Sequence, residues 1–325
     1  MEYVKLGQTG LEVSKLCLGG MSFGDAKKWV HSWVLDEQAT KDIIAKALAH
    51  GINFFDTANV YGMGSSEEYM GKALRELAVR EEIVIATKVS GAMRSGPNSY
   101  GLSRKAIFTE VNASLKRLGV DYIDILYIHR FDETTPVEET MEALHDLVKS
   151  GKVMYLGASS MYAWQFQKMQ YVARVNHWTP FSVMQGHYNL LYREEEREMI
   201  PLCKDMGVAL VPYSPLAAGR LSRAWQSDSK RFVEDQVAKQ KYDQWADQDC
   251  LIVERVQQLA SQHEVSQTQI ALAWLWSKGI TAPIVGITKQ KYLDDAVDAL
   301  KVVLTLEEIN FLEEPYVPHS IVGHS

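Results

Sequence analysis

Cysteine is scarce in this chain of 325 residues: only Cys17, Cys203 and Cys250 occur, and they lie far apart. Their separations exclude a disulfide framework, and no pair has the spacing of a zinc site or a redox motif. The first residues also lack the basic segment and apolar segment of a secretory signal. These absences predict a cytoplasmic protein in a reduced compartment, with no metal site.

Positive charge and long apolar runs are missing too. Lys and Arg number 34 against 41 Asp and Glu, which gives a net charge of −7. A nucleic-acid binder would need a basic face, and so would a protein held to anionic lipid by charge. The most apolar stretch, residues 270–276, is far too short to span a bilayer. We therefore expect neither a nucleic-acid partner nor a membrane.

Short apolar runs alternate with segments of helical period along the chain. Runs that are apolar almost throughout are typical of parallel strands covered on both faces. Their alternation with helices indicates right-handed βαβ units. The expected fold class is α/β, a closed (β/α)8 barrel of the TIM type, with an open doubly wound sheet as the alternative. The eight runs are residues 16–18, 53–56, 83–88, 122–129, 153–159, 182–187, 208–214 and 282–286.

Additional segments surround this predicted barrel, and we expect one domain over residues 1–325. Residues 1–16 predict an N-terminal β-hairpin around the turn Gly7-Gln-Thr-Gly10. A long polar loop, 220–249, follows the seventh strand, and extra helices are expected toward the C-terminus. Helical period and capping residues predict helices over 40–50, from Ser65, from Ser103 to Gly119, from Pro136 to Gly151, and over 194–206, 250–263 and 266–277.

The common nucleotide-binding motifs are absent. Gly62-Met-Gly64-Ser-Ser-Glu67 comes near a dinucleotide fingerprint, but Glu67 stands at the third glycine position, where its carboxylate would face a pyrophosphate. We interpret this segment as a flexible loop. The chain also has no P-loop, and Gly157-Ala-Ser159-Ser-Met161 fails the nucleophile-elbow pattern because it does not end in glycine.

Titratable residues end three consecutive predicted strands: Asp56, Lys88 and His129, with Tyr61 in the loop after Asp56. Each has an ordinary explanation when taken alone, such as capping, surface packing or a satisfied core histidine. In a barrel, however, the carboxyl ends of the strands converge on one mouth, where the chemistry of such enzymes takes place. Burying these groups together without a purpose would be costly, so their convergence predicts an active site.

A family resemblance appears over nearly the whole length. The chain resembles the aldo-keto reductases, and the resemblance implies a catalytic tetrad of Asp56, Tyr61, Lys88 and His129. Tyr61 would protonate the carbonyl oxygen, Lys88 would lower the pKa of Tyr61, Asp56 would hold Lys88, and His129 would orient the carbonyl. The matching segments are Leu18-Gly-Gly-Met-Ser-Phe-Gly24, residues 51–61, Ala86-Thr-Lys88, Ile125-Leu-Tyr-Ile-His129, Gly157-Ala-Ser-Ser160, Gln185, Tyr213-Ser-Pro-Leu216 and Pro283-Ile-Val-Gly286.

The same resemblance implies a nicotinamide cofactor. Its carboxamide would meet Ser159, Ser160 and Gln185, although the family more often has Asn at the position of Ser160. Tyr213 would stack on the nicotinamide. Further contacts are implied for the pyrophosphate, by Ser214, Leu216, Gly219 and Arg220, and for the adenosine and its 2′-phosphate, by Gly286, Thr288, Lys289 and Asp295.

Cofactor choice and substrate rest on fewer residues. Well-studied family members have Lys and Arg where this chain has Gly286 and Tyr292, so Lys289 is the remaining cation near the 2′-phosphate. We expect NADPH, with NADH as the alternative. Trp29 and Trp33 in the loop after the first strand, with Arg130, are candidates to contact a small-molecule carbonyl substrate. The predicted function is NADPH-dependent reduction of aldehydes and ketones to alcohols.

Three alternatives are open at this point. Residues 189–198 and the ending Tyr316-Val-Pro-His319 resemble a bacterial YajO-like branch that carries a 1-deoxyxylulose-5-phosphate synthase label, with related fungal sequences. Reductive chemistry on a sugar phosphate is thus one alternative. A regulatory nicotinamide-binding module, like the potassium-channel β subunits, is a second. A thiamine-dependent reaction is the third and is disfavoured, because the chain has no thiamine-binding motif.

Overall fold

A barrel of eight parallel strands forms the centre of the molecule, for which a computed structural model describes residues 1–225 and 234–324. From the first of the eight strands to the seventh, each pairs with the next along the chain, and the eighth pairs with the first. The strands are β3 Cys17–Gly19, β4 Phe54–Asp56, β5 Val84–Val89, β6 Ile123–Ile128, β7 Val153–Ser159, β8 Phe181–Gln185, β9 Ala209–Leu210 and β10 Ile284–Gly286.

Backbone hydrogen bonds join the remaining edges of this sheet. The Thr281 N–H donates to the Leu210 carbonyl at 2.9 Å, and the Ile284 N–H donates to the Pro212 carbonyl at 2.9 Å. These bonds connect β9 to the β10 segment and close the sheet on itself. The expected (β/α)8 barrel is therefore confirmed over the open doubly wound alternative.

The predicted N-terminal hairpin is present. Its strands, β1 Tyr3–Lys5 and β2 Glu12–Ser14, pair antiparallel. Leu6 and Val13 of this hairpin are fully buried in one apolar cluster with residues of the barrel strands. A Cβ on Gly7 would lie 2.6 Å from the Gly207 carbonyl oxygen, just before β9, so the turn fits there only because that residue is glycine. The hairpin closes the amino end of the barrel, opposite the predicted site.

Helices cover the outside of the strands, and a second, larger apolar cluster fills the space between the two layers. The first helix begins at 37 rather than the predicted 40, because the Asp36 carboxylate accepts a hydrogen bond from the Ala39 N–H at 2.9 Å. The helices are Glu37–Ala49, Ser65–Leu77, Arg104–Leu118, Val137–Lys149, Ala163–Val175, Met199–Met206, Gln236–Tyr242, Ala246–Gln262, Gln267–Ser277, Gln290–Asp298 and Leu306–Glu313.

The connection predicted as a long loop over 220–249 is partly helical. Its described part contains the helix Gln236–Tyr242 and a 3-10 turn, Asp243–Trp245, and the next helix begins at Ala246 rather than at 250. The sequence pattern did not predict the helix Gln236–Tyr242, because its few apolar residues are separated by polar and charged ones. The part of the prediction that falls on 226–233 lies outside the described residues.

Membrane-spanning helices and metal-binding clusters are both absent from the part of the chain that the structure describes. Among the helices of 1–225 and 234–324, none combines the length and hydropathy needed to cross a bilayer. Over the same ranges no cluster of three or more His, Cys, Asp or Glu side chains is arranged to hold a metal ion.

Candidate active site

The ends of three adjacent strands bring the predicted acid–base residues to one mouth of the barrel. Asp56 is the last residue of β4 and pairs in register with Ala86, two residues before Lys88. Lys88 in turn pairs with Tyr127 of β6, and His129 directly follows that strand. Parallel register thus places one titratable group on each of three neighbouring strands.

Lys88 is the centre of the cluster and is completely buried. Its Nζ donates to Asp56 Oδ1 at 2.5 Å, to the Thr57 carbonyl at 2.7 Å and to the Tyr61 hydroxyl at 3.3 Å. These three partners match the three N–H groups of an ammonium. Asp56 uses its second oxygen, Oδ2, to accept from Gln185 Nε2 at 2.9 Å. The buried ion pair is therefore fully hydrogen-bonded, the condition under which such a pair is tolerated.

Burial and charge set the protonation states in this cluster. Burial raises the pKa of the Asp56 carboxyl, while the Lys88 ammonium opposes that rise. Burial by itself would lower the pKa of Lys88, yet the Asp56 carboxylate and the Tyr61 phenol leave it raised. Burial also raises the pKa of the Tyr61 phenol, and the nearby Lys88 charge again opposes. At neutral pH Lys88 is thus an ammonium and Tyr61 a protonated phenol.

The turn after Tyr61 has a left-handed backbone over three consecutive residues. Gly62, Met63 and Gly64 all have positive φ angles, of 57°, 52° and 92°. A methionine in the left-handed region is uncommon and is held there by its surroundings. The helix Ser65–Leu77 begins directly after this turn, so the segment predicted as a flexible loop is a tight turn and the start of a helix. Glu67 of that helix is buried and accepts from Thr87 and from Arg117.

His129 lies against Tyr61 in an edge-to-face arrangement, with ring centroids 5.9 Å apart. Burial, aided by the charges of Lys88 and Arg130, holds the pKa of His129 well below its usual range. Its imidazole is therefore neutral, with one N–H to donate. Arg130 donates from Nη1 to the carbonyl of His129 at 2.6 Å, which brings a positive charge to the same rim.

The loop after β3 carries both predicted substrate-contact tryptophans, Trp29 and Trp33. The ring of Trp29 lies 6.1 Å from that of Tyr61, and His31 connects Trp29 to Trp33 with centroid separations of 5.6 and 4.8 Å. The loop leaves and re-enters the barrel at one point, where the Leu35 N–H donates to the Ser22 carbonyl at 2.7 Å. Trp29 thus reaches the cluster directly, and Trp33 lies two rings away.

The predicted nicotinamide contacts lie on the other side of the mouth. Ser159 and Ser160 have their hydroxyl oxygens 3.4 Å apart, and Ser160 donates to the Tyr213 hydroxyl at 3.3 Å. The amide N–H of Gln185 donates a hydrogen bond to Asp56, and the amide carbonyl oxygen can accept one. The structure therefore brings Ser159, Ser160, Gln185 and Tyr213 together around the tetrad.

Two residues that the sequence-based reasoning missed contact Tyr213. His187 is buried and stacks between Tyr192 and Tyr213, at centroid separations of 4.2 and 5.3 Å. Lys241, from the helix Gln236–Tyr242, has its Nζ over the Tyr213 ring at 5.2 Å from the centroid. The spacing of His187 two residues after Gln185 was the available signal for the first. Nothing in the sequence indicated Lys241.

The segment predicted to meet a pyrophosphate has a strained backbone. Ser214, Ala217, Ala218 and Gly219 all have positive φ angles, although only one of them is glycine. Such strain is concentrated at ligand-binding sites. The Arg220 side chain is buried, pairs with Asp243 and lies over the Tyr242 ring, and its contact with a pyrophosphate stays a prediction. Leu216 is half-buried in the same segment.

The residues predicted around the adenosine lie at the end of β10, which pairs with β3. Gly286 is exposed, Thr288 is half-buried and Lys289 is exposed just before the helix Gln290–Asp298. Lys289 has its Nζ over the Tyr292 ring at 5.9 Å. Burial raises the pKa of Asp295, the next predicted contact, although Lys291 opposes that rise. Gly286 and Lys289 at this end of the predicted site are thus exposed to solvent, unlike the buried Lys88 and Asp56.

Comparisons with known proteins agree with this architecture. The model of the Aldo/keto reductase family matches residues 15–316. A versiconal hemiacetal acetate reductase of Aspergillus parasiticus is 44% identical over 99% of this chain and 98% of its own length. An aldo-keto reductase of Alternaria alternata is 44% identical, over 99% of this chain and 94% of its own. A putative aryl-alcohol dehydrogenase of Schizosaccharomyces pombe is 43% identical, over 99% and 97%. The chain therefore belongs to the aldo/keto reductase family and is an oxidoreductase that acts on carbonyl and alcohol groups.

Proposed function

We propose that this protein is an NADPH-dependent carbonyl reductase in which Tyr61 is the general acid. The observation that carries the proposal is the position of Lys88 Nζ, within hydrogen-bonding distance of both Asp56 and the Tyr61 hydroxyl. A buried ammonium beside a phenol stabilises the phenolate that remains after proton donation. A completely buried lysine is costly for folding, which favours a functional reason for its presence.

Proton transfer follows from the protonation states of the four residues. The Tyr61 phenol is protonated at neutral pH and donates its proton to the substrate oxygen as negative charge develops there. The phenolate left behind is paired with Lys88, which Asp56 keeps charged and in place. Neutral His129 donates its N–H to the same oxygen and orients the carbonyl. When bound, the reduced nicotinamide supplies the hydride that the carbonyl carbon receives.

The cofactor fits the residues on the opposite side of the mouth. The carbonyl oxygen of Gln185 and the Ser159 and Ser160 hydroxyls offer acceptors and donors to a carboxamide. Tyr213, which stacks on His187, presents its aromatic ring for stacking on the nicotinamide. Lys289, with Thr288 next to it, supplies the positive charge near a 2′-phosphate, which is the basis for NADPH over NADH.

The substrate proposed here is an aromatic or otherwise apolar carbonyl compound. Trp29 lies against the general acid and forms an aromatic wall with Trp33 two rings away, while Arg130 adds a positive charge to the rim. The names of the relatives point the same way, since they include an aryl-alcohol dehydrogenase and the reductase of a hemiacetal acetate. An aromatic substrate would stack on Trp29 while Tyr61 and His129 hold its oxygen.

The test is a carbonyl panel with oxidation of NADPH followed at 340 nm. The panel compares aromatic aldehydes, short aliphatic aldehydes, α-diketones and sugar phosphates, first with NADPH and then with NADH. We expect aromatic aldehydes to give the highest kcat/KM, with NADPH as the better cofactor. Tyr61→Phe is the matched control, since it removes one hydroxyl. No turnover of any carbonyl by the wild type, or equal turnover by Tyr61→Phe, would contradict the proposal.

The sugar-phosphate arm of the panel also tests the predicted likeness to the YajO-like bacterial branch. A preference for a sugar phosphate would favour that branch and assign Arg130 to the phosphate. The likeness to channel β subunits, the cytoplasmic location and the single domain over 1–325 are predictions that this panel does not address.

A further inference from the structure

The Ser65 hydroxyl lies between two segments that each contribute a residue to the mouth. Its Oγ donates to the Gly62 carbonyl, at 2.7 Å, in the turn that follows Tyr61. The same Oγ accepts from the Asp25 N–H, at 2.9 Å, in the loop after β3 that contains Trp29. Ser65 is buried, and its bond to Gly62 is buried while its bond to Asp25 is partly buried. One hydroxyl therefore fills its donor and an acceptor position with two separate segments.

Two glycines that pack against the Ser65 hydroxyl, Gly62 and Gly24, make this close contact possible. A Cβ on Gly62 would lie 2.3 Å from Ser65 Oγ, and a Cβ on Gly24 would lie 2.7 Å from the same atom. Both glycines have positive φ, of 57° and 131°. No other residue type could occupy either position without displacing the hydroxyl. Two segments distant in sequence are thus shaped around this single oxygen.

Helix capping does not account for this arrangement. Gly64 is the N-cap of the helix Ser65–Leu77 and makes no side-chain cap bond. Ser65 directs its hydroxyl back to Gly62 rather than to an N–H of its own helix. The next residue, Ser66, bonds Thr57 Oγ1 at 2.8 Å and the Gly20 carbonyl at 2.7 Å, and so serves a different contact. The sequence alone would assign both serines to the start of the helix.

We propose that Ser65 is a positioning residue that couples the Trp29 loop to the general acid. The loop beginning at Asp25 contains Trp29, and the turn bonded by Ser65 begins at Tyr61. Fixing both segments to one oxygen sets the distance between the wall that holds the substrate and the phenol that protonates it. The inference rests on the proposed function, because it assigns Ser65 its effect through Tyr61. Small errors in such positioning are costly for catalysis.

The test is a double-mutant cycle with Ser65→Ala and Tyr61→Phe. Ser65→Ala should lower kcat for an aromatic aldehyde by about tenfold, because the phenol is no longer held. In the Tyr61→Phe background the same change should lower kcat less than about twofold, since there is no proton donor left to position. Ser65→Thr, which keeps the hydroxyl, should restore most of kcat. Ser266→Ala is the matched control, a serine at another helix start whose hydroxyl accepts from the Gln269 N–H in a capping box.

Hydrogen exchange supplies a readout that needs no substrate. Ser65→Ala should accelerate exchange in peptides covering 22–36 and 58–66 together, whereas Ser266→Ala should leave both unchanged. An equal loss of kcat in both backgrounds of the cycle, or faster exchange in only one of the two peptides, would overturn the coupling. A wild type that reduces no carbonyl would defeat the proposed function instead, and the exchange of the two segments would still decide whether Ser65 links them.

Discussion

The two ends of the predicted site differ in how firmly the protein holds them. At the tetrad end, Lys88 and Asp56 are buried and their polar atoms are occupied by one another, by Thr57, by Tyr61 and by Gln185. At the adenosine end, Gly286 and Lys289 are exposed, and the Lys289 ammonium lies over the ring of Tyr292.

This difference indicates that the tetrad end serves proton transfer, whereas the adenosine end serves cofactor affinity. Proton transfer needs atoms held to a fraction of an ångström, and a packed interior with satisfied hydrogen bonds supplies such preorganisation. A phosphate on a surface needs only charge within reach, which a flexible lysine provides. Substitutions at the first end should therefore affect turnover and folding, and substitutions at the second should affect the cofactor dissociation constant alone.

The largest expected effect is that of Lys88→Met, which breaks the tetrad end. Removing one partner of a buried ion pair costs roughly 3–5 kcal/mol of folding stability, because the other charge stays buried. Turnover should fall by at least about 10²-fold, since the phenolate of Tyr61 loses its cation. Chemical denaturation and NADPH oxidation at 340 nm measure the two losses.

The pH dependence of this variant has a definite sign. Without Lys88, burial raises the folded-state pKa of Asp56 further above its unfolded value. The stability gained by protonating Asp56 is then present at low pH and is lost as the pH rises through the folded-state pKa. Lys88→Met should thus unfold more easily at pH 8 than at pH 5. The double variant Asp56→Asn, Lys88→Met should recover stability without activity, and a stable, active single variant would contradict the account.

The next effect sharpens the other side of the comparison. Lys289→Ala should weaken NADPH binding about tenfold, allowing for solvent exposure of the contact, and leave NADH nearly unchanged, because only NADPH carries the 2′-phosphate. Quenching of tryptophan fluorescence gives both dissociation constants. Lys291→Ala is the control, as Lys291 also lies near the Tyr292 ring. Equal weakening of the two cofactors would assign Lys289 to the loop rather than to the phosphate.

A smaller effect is expected for Trp29→Ala at the substrate wall. Loss of an aromatic contact of roughly 1 kcal/mol should raise KM for an aromatic aldehyde about fivefold. A short aliphatic aldehyde, which cannot stack, should be affected much less. Trp33→Ala, two rings from Tyr61, serves as the comparison and should change KM less. Equal changes for both aldehydes would remove Trp29 from the substrate site.

The smallest effect concerns Lys241, which lies over the Tyr213 ring. Lys241→Met should weaken NADPH and NADH alike, by about threefold, since a half-buried cation near a bound pyrophosphate would contribute modestly and without regard to the 2′-phosphate. Lys239→Met, on the same helix, is the control. Unchanged dissociation constants for Lys241→Met would show that Lys241 does not contribute to cofactor binding.

The tetrad was predictable from the sequence for a physical reason. Asp56, Lys88 and His129 stand at the ends of short apolar runs, and a closed parallel barrel brings such ends to one mouth. The sequence could not indicate contacts made by tertiary packing alone. Arg220 turned inward to Asp243, Lys241 arrived from a polar helix, and the Ser65 hydroxyl was directed to Gly62 rather than to its helix. Each depends on neighbours far away in the chain.

The most direct test of the central claim compares Tyr61→Phe with the wild type. The variant removes only the hydroxyl that Lys88 contacts at 3.3 Å. We predict dissociation constants for NADPH within about twofold of the wild type, and kcat for an aromatic aldehyde lower by roughly 10²–10⁴-fold, the scale of one general acid. A variant that binds NADPH normally and turns over at close to the wild-type rate would contradict the assignment of Tyr61 as the proton donor.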